Sequence, residues 1–236
     1  MASLAWIVGG SRGIGYACAE ALGREGYQLA IGSSSLKNSE EAAKTFAEKG
    51  FTTQAFECDV TSEESVRECY RSIKKTFNAV PDILINSAGI SPWSTFSETS
   101  IEEFDAVLSV NTRGLFLTSR EVLNDMYMRG SGVIVQILSI ASIKAYKNGA
   151  AYVASKFASL GFTNALREEA RQHGVRVIAV FPGATETELW DKEERENYHD
   201  RMMQPEDIAL AVIAAIKEPG RALIEEIVLR PILGDI

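Results

Sequence analysis

Leu4-Ala5-Trp6-Ile7-Val8 runs straight into Gly9-Gly10-Ser11-Arg12-Gly13-Ile14-Gly15, and a helix-like segment follows to about Glu25. A short apolar run bounded by glycines reads as a buried strand. Strand, glycine-rich turn and helix in that order make a phosphate cradle. Glycine lets the backbone come close to a pyrophosphate, and the helix N-terminus offers free N–H groups and partial positive charge. The stretch predicts an α/β fold that holds a nucleotide at the end of its first strand.

A second apolar run, 27–31, ends in Gly32-Ser33-Ser34-Ser35, with Lys37 beyond it. It lies about 20 residues past the glycines, where an NAD-binding fold sets an acid against the ribose 2′-hydroxyl. No acid stands here. Small hydroxyls with Arg12 and Lys37 accept a 2′-phosphate without repulsion, which predicts NADP(H) in preference to NAD(H).

The alternation continues. Further helices are expected over 38–49, 62–77, 101–128, 149–172 and 205–217, and strands over 51–56, 83–85, 133–138, 175–181 and 223–229. Seven strands alternating with six helices predict one seven-stranded parallel, doubly wound sheet with helices on both faces. Right-handed crossovers put every strand C-terminus on one edge, where ligands bind. The glycine loop, Ser33, Asp59, Asn86, Ser139 and Pro182 all follow strand ends, so one rim is expected to gather them.

The chain has 236 residues, 46% hydrophobic and 24% charged, which suits one globular domain spanning 1–236. A formal net charge of −8 argues against a nucleic-acid or anionic-membrane surface. Cys18, Cys58 and Cys69 form no metal or redox spacing and read as reduced thiols of a cytoplasmic protein. His173 reads as a helix-end residue, and His199 has no metal partner at ligand spacing. The apolar start is too short for a signal peptide and lacks a basic leader. No apolar run approaches a membrane span.

Tyr152-Val153-Ala154-Ser155-Lys156 places a phenol and an ammonium one helical turn apart on one face. A free tyrosine titrates near pH ~10, too high for proton transfer at neutral pH. Moving it about three pH units takes roughly 4 kcal/mol. One ammonium at about 4 Å in an effective dielectric of ~20 supplies about that much. Lys156 is therefore expected to make Tyr152 a working acid.

Taken together, these residues resemble the short-chain dehydrogenase/reductase family over essentially the whole chain. The resemblance rests on Gly9, Gly13 and Gly15, Asn86-x-Ala88-Gly89, Asn111, Ser139, Tyr152 with Lys156, and Pro182-Gly183; Ser139 precedes Tyr152 by 13 residues. It implies a Rossmann fold and a hydride-transferring ketoreductase, with Asn111, Ser139, Tyr152 and Lys156 as the catalytic set. Tyr152 would protonate the carbonyl oxygen, Ser139 would hydrogen-bond it, and Lys156 would hold the nicotinamide ribose. Asn111 would kink its helix and hold a relay water. Asp59 and Val60 would flank the adenine, Arg12 and Ser34 would face the 2′-phosphate, and Asn86, Ala88 and Gly89 would brace the cleft. Ser11, Ile14, Ser33, Ser35, Thr185 and Thr187 complete the implied NADP(H) contacts.

Three features depart from the pattern. Val8 replaces a usual threonine, Ser87 replaces a second asparagine, and the segment 226–236 lacks the usual closing Val-Asp-Gly-Gly. The resemblance implies a substrate lid at 184–203, with Trp190, Tyr198, Met202 and Met203 lining a pocket alongside Ile90, Trp93, Ile140 and Tyr146. Two substrates stay open: a 3-oxoacyl thioester on acyl carrier protein, met by Arg129, Arg167 and Arg171, and a small ketone or aldehyde. A non-catalytic dinucleotide sensor would typically lack the tyrosine or the lysine. The small-residue stripe Ala154, Ala158, Gly161 and Ala165 allows close helix approach; the resemblance implies a subunit interface on this helix and the one carrying Asn111, hence a homodimer or homotetramer, and sedimentation as a strict monomer at micromolar concentration would refute that.

Overall fold

The computed structural model describes residues 3–219 and 221–236. Seven parallel strands form one sheet in the order β3-β2-β1-β4-β5-β6-β7. They are β1 (Leu4–Val8), β2 (Gln28–Ser33), β3 (Thr53–Glu57), β4 (Ile83–Asn86), β5 (Gly132–Ile137), β6 (Val175–Pro182) and β7 (Glu226–Leu229). The helices between them are α1 (Gly13–Arg24), α2 (Leu36–Glu48), α3 (Glu63–Phe77), α4 (Ile101–Leu108), α5 (Gly114–Arg129), α6 (Ala150–Arg171), α7 (Lys192–Tyr198) and α8 (Pro205–Lys217).

The strands read as continuous apolar runs because both faces of the sheet are covered. Successive side chains alternate between two cores. Ala5, Ile7, Ile83, Ile85, Val133 and Val135 pack with residues of α1, α2 and α8. Leu4, Trp6, Val8, Leu84 and Ile134 pack with residues of α3, α5 and α6. Trp6 and Phe46 are fully buried, and each such side chain contributes roughly 1.5–3 kcal/mol. The strand order reverses between β1 and its two neighbours, β2 and β4. Their C-terminal loops part there and leave a crevice.

The expected elements are present, with shifted limits. β7 starts at Glu226 instead of 223, and β3 at Thr53 instead of 51; Phe51 packs against the first core without joining a ladder. The expected helix 101–128 is broken by a π-helical turn at Ser109–Arg113. Segment 184–203 carries α7, whose start Asp191 caps by accepting a hydrogen bond from the Glu194 N–H at 2.7 Å. All three cysteines are buried and free. His173 stacks on Tyr127 with ring centroids 4.0 Å apart. Of the small-residue stripe, Ala158, Gly161 and Ala165 face solvent and do not pack on the sheet. Among the described residues, no helix is long and apolar enough to cross a membrane.

Candidate active site

One cleft runs along the C-terminal edge of the sheet. Gly9, Ser11, Arg12, Gly13, Ile14, Ser33 and Ser34 line one end; Ser139, Tyr152 and Lys156 line the other. The loop after β1 is glycine for a steric reason. Gly9 has φ +78°, and a Cβ there would lie 2.6 Å from the Ala88 nitrogen. At Gly15 a Cβ would meet the Gly9 carbonyl at 2.2 Å. Gly15 is thus a packing residue that brings α1 close to β1; it does not face the cleft, contrary to expectation. No side chain caps the N-terminus of α1 and no acid sits in its first turn, so its N–H groups are available to an anion.

The loop after β2 divides its serines. Ser33, Ser34 and Asn38 face the cleft. Ser35 instead caps α2, accepting from the Asn38 N–H at 3.4 Å. Lys37 points to solvent near Glu41, 3.9 Å away. Arg12 is therefore the cation that lines this end. Asp59 and Val60 line the cleft beyond it, with Asp59 turned back to accept from the Thr61 N–H and hydroxyl at 2.9 and 2.7 Å.

Asn86 does not reach the cleft. Its amide donates to Ser119 Oγ at 3.2 Å and Gln136 Oε1 at 3.0 Å and accepts from Thr118 Oγ1 at 2.7 Å. This fully buried network holds β4 against α5 and β5. Removing one member would leave its partners unsatisfied, at about 1–3 kcal/mol each. The loop that follows, through Ala88, Gly89 and Ile90, does line the cleft, as do Pro182, Gly183, Thr185 and Thr187.

Asn111 lies inside the π-turn, buried and behind the cleft wall. Its side chain accepts from the Ile90 N–H at 2.9 Å and donates to the Ile90 carbonyl at 2.9 Å and Ser155 Oγ at 3.0 Å. Ser155 in turn donates to the Tyr152 carbonyl at 2.7 Å. Thr112 and Ser159 tie the same turn to α6. The expected kink is present, but the Asn111 side chain is spent on positioning: it clamps the loop after β4 to the turn that presents Tyr152. Ser155 and Ser159 went unnoticed in the sequence; their only signal is spacing by four on one helix face.

Ser139 closes β5 in an extended conformation, and its Oγ accepts from the Ala141 N–H at 3.1 Å. That leaves the hydroxyl proton to donate into the cleft. Tyr152 is 7% exposed. Burial raises the pKa of its phenol, and the neighbouring Ser139 hydroxyl partly opposes this. Lys156 Nζ sits 5.6 Å from the Tyr152 ring centroid and donates to the Ile137 carbonyl at 3.3 Å. Burial pushes its pKa down to about 8. The expected lowering of Tyr152 by Lys156 is therefore absent here. Desolvation dominates both groups, since each loses more from leaving water than it gains from the other at this separation.

An aromatic wall adjoins the phenol. Trp93 lies 5.9 Å from the Tyr152 ring and 6.4 Å from Tyr146. Ile90, Ile140, Leu189 and Trp190 also line this end. Three expected lid contacts fail: Tyr198 does not reach the cleft, Met202 is buried and Met203 packs on the first core. The two ends of segment 184–203 are zipped together, with the Glu186 N–H donating to Met203 O at 2.9 Å and the Met203 N–H to Ala184 O at 3.0 Å. Asp235 and Ile236 were not foreseen and complete the lining.

The short chain dehydrogenase family model matches residues 3–198. The chain belongs to this family. Its relatives among short-chain dehydrogenases include a sepiapterin reductase of Chlorobaculum tepidum, 32% identical over 98% of this chain and 96% of the relative. A solved alcohol dehydrogenase from Thermococcus sibiricus, complexed with 5-hydroxy-NADP, superposes with TM-score 0.89 at 30% identity, covering 98% of this chain and 97% of that one. An actinorhodin polyketide ketoreductase variant with NADPH gives TM-score 0.91 at 27% identity, over 100% of this chain and 98% of that one. Short-chain dehydrogenase membership thus agrees with the all-parallel sheet and with the resemblance drawn from the glycines, Tyr152 and Lys156.

Proposed function

We propose that this short-chain dehydrogenase is an NADP(H)-dependent carbonyl reductase, with Tyr152 as the proton donor. One observation carries the reading: Ser139, Tyr152 and Lys156 share a cleft whose far end is a phosphate cradle with Arg12 and no acid after β2. The relatives named as reductases, ketoreductase and alcohol dehydrogenase act in the same reaction class, and two solved neighbours are complexes with an NADP form. Gly9, Ser11, Gly13 and the α1 N-terminus would hold the pyrophosphate, and Arg12 with Ser34 the 2′-phosphate. Asp59 and Val60 would border the adenine. Lys156 would hold the nicotinamide ribose, with Pro182, Gly183, Thr185 and Thr187 along the cofactor's edge.

A bound nicotinamide supplies the hydride. Ser139 donates a hydrogen bond to the carbonyl oxygen and fixes it beside Tyr152. The phenol then delivers its proton to that oxygen as negative charge develops there. Lys156, at pKa about 8 still largely charged near neutrality, holds the nicotinamide ribose. Asn111 and Ser155 hold the helical turn that aims Tyr152.

NADPH oxidation against a panel of ketones, aldehydes and 3-oxoacyl thioesters tests the reading; no turnover with any of them removes it. NADPH is expected to bind at least about tenfold tighter than NADH at equal salt, and Arg12→Ala to reduce that preference about tenfold, which is 1.4 kcal/mol for one lost charge-assisted contact. Equal affinities in the native protein would sink the assignment of the 2′-phosphate site.

Segment 184–203 acts as a substrate lid. Its zipped ends form a natural hinge, and Thr187, Leu189 and Trp190 reach over the cleft. Protease cleavage within it should slow when NADP and a product alcohol are bound; equal cleavage with and without them counts against a moving lid. A small ketone or aldehyde is the favoured substrate. The arginines expected to meet an acyl carrier protein are engaged elsewhere: Arg167 is buried on the Val177 and Glu225 carbonyls, Arg129 is bound to the Pro81 carbonyl and to Asp82, and Arg171 to Glu168 and Glu225. The solvent-facing stripe on α6, flanked by Phe116 and Phe157, suits a homodimer or homotetramer contact.

A further inference from the structure

The segment after β7 exposes Ile232 and Leu233 and then returns to the protein. It turns back across the substrate end of the cleft, and one carboxylate holds it there. Asp235 Oδ2 accepts from Lys144 Nζ at 2.8 Å and from the Tyr146 hydroxyl at 3.0 Å. Arg230 Nη2 stands 3.4 Å from the same oxygen, and Arg201 Nη2 donates to the Asp235 main-chain carbonyl at 3.0 Å. Three separate segments thus meet on one residue. Lys144 and Tyr146 come from the loop that Ser139 opens, Arg201 from the far end of the lid, and Arg230 from the root of the tail.

The carboxylate is matched to this work. Its side chain is 20% exposed, against 51% for Lys144 and 44% for Arg230. The Lys144 hydrogen bond, the Tyr146 hydroxyl and the Arg230 charge together hold the carboxyl below its ordinary pKa, so it stays ionised at neutral pH. Oδ2 already serves Lys144, Tyr146 and Arg230, and Oδ1 is buried from solvent without a partner. With Oδ2 fully engaged and Oδ1 out of solvent, the side chain's role is to tie the tail down. Tyr146 is in edge contact with Trp93, and Trp93 packs on Tyr152. The tie therefore lies one aromatic ring beyond the wall next to the reacting phenol.

We propose that Asp235 is a specificity-determining latch: by pinning the tail to Lys144, Tyr146 and Arg201 it closes the substrate end of the cleft and limits this enzyme to compact carbonyl compounds. A long acyl chain anchored by its carbonyl at Tyr152 and Ser139 and extending along this wall runs into the Asp235–Ile236 segment. The inference rests on the carbonyl-reductase reading for its substrate class, but the latch itself can be measured without turnover.

Asp235→Asn keeps the shape of the side chain and removes its charge. Lys144→Met removes one cation from the other side. A ladder of 3-oxoacyl thioesters or methyl ketones of increasing chain length is assayed with NADPH for native protein, both single variants and the double. Native protein should favour the shortest over the longest by more than about tenfold in kcat/KM, and Asp235→Asn should shrink that ratio about tenfold, mainly through KM of the long members. The double variant should add little to Asp235→Asn, because both break the same contact. An unchanged length ratio in Asp235→Asn overturns the proposal. Amide hydrogen exchange over 140–148 and 230–236 separates this from the reductase reading: the latch requires faster exchange in Asp235→Asn whether or not any carbonyl is reduced. Unchanged exchange in a variant that melts like native protein overturns the latch alone.

Discussion

Replacing Tyr152 with phenylalanine is expected to lower kcat about a thousandfold while leaving the NADPH dissociation constant within about threefold, as a general acid contributes 10²–10⁴. The ring stays, so its packing on Trp93 at 5.9 Å survives, and only the proton and its oxygen are lost. Ser139 still donates to the carbonyl oxygen, which is why residual turnover persists. The pH profile carries a second signature. Burial raises the pKa of the phenol, so the protonated acid persists to high pH and reduction should fall only on the alkaline side. In the phenylalanine variant that fall should vanish along with the rate. Near-native kcat in Tyr152→Phe would take Tyr152 out of the acid role. A measurement of kcat with NADPH saturating, beside a fluorescence titration of NADPH binding, decides it.

Lys156→Met should cost activity and add stability. Turnover should fall, and NADPH binding should weaken about tenfold or more, because this ammonium is assigned to the nicotinamide ribose. Stability moves the other way. Lys156 is 6% exposed and burial lowers its pKa from 10.5 to about 8. Between about pH 8 and 10.5 the unfolded chain binds the extra proton, so the native protein gains stability as pH rises through that window. Below it both states carry the proton, and the full desolvation cost, on the order of 3 kcal/mol, bears on the folded state. Methionine removes that cost. Without cofactor, the variant should melt roughly 6–12 °C above native protein at pH 7, and the difference should close toward pH 10.5. A lower melting temperature at neutral pH would mean that the bond to the Ile137 carbonyl outweighs the burial of charge.

The parallel, doubly wound sheet was readable because apolar runs alternate with helical stretches along the chain. Gly9, Asp59 and Ser139 follow strand ends and Ser33 is the last residue of β2, and parallel topology brings them to one edge. On the rim, local partners claim several polar groups that residue type alone assigns to a ligand. Ser35 is consumed by a helix cap, Asn86 by a buried amide network, Asn111 by the Ile90 backbone and Gly15 by the carbonyl of Gly9. Polar groups satisfied within the protein have little left for a ligand. Asp235 was missed for the opposite reason. Nothing in a near-terminal aspartate, 83 residues beyond Tyr152 in the sequence, marks it as a neighbour of Tyr146; only the return path of the tail from β7 does. The pKa arrangement was illegible too, because spacing by four says that two groups are close but not how dry they are.

The π-turn at Ser109–Arg113 bears on how this stretch of chain should be compared with others. A π-bulge is in effect one surplus residue carried inside an otherwise regular helix. Each residue advances an α-helix by about 100°. Faces counted at 3.6 per turn from Ile101 are therefore out of phase once the count enters α5, and Val107 and Leu117, both core residues, do not belong to one uninterrupted stripe. An alignment that closes the surplus as a gap would erase the turn from which Asn111 reaches both the Ile90 backbone and Ser155.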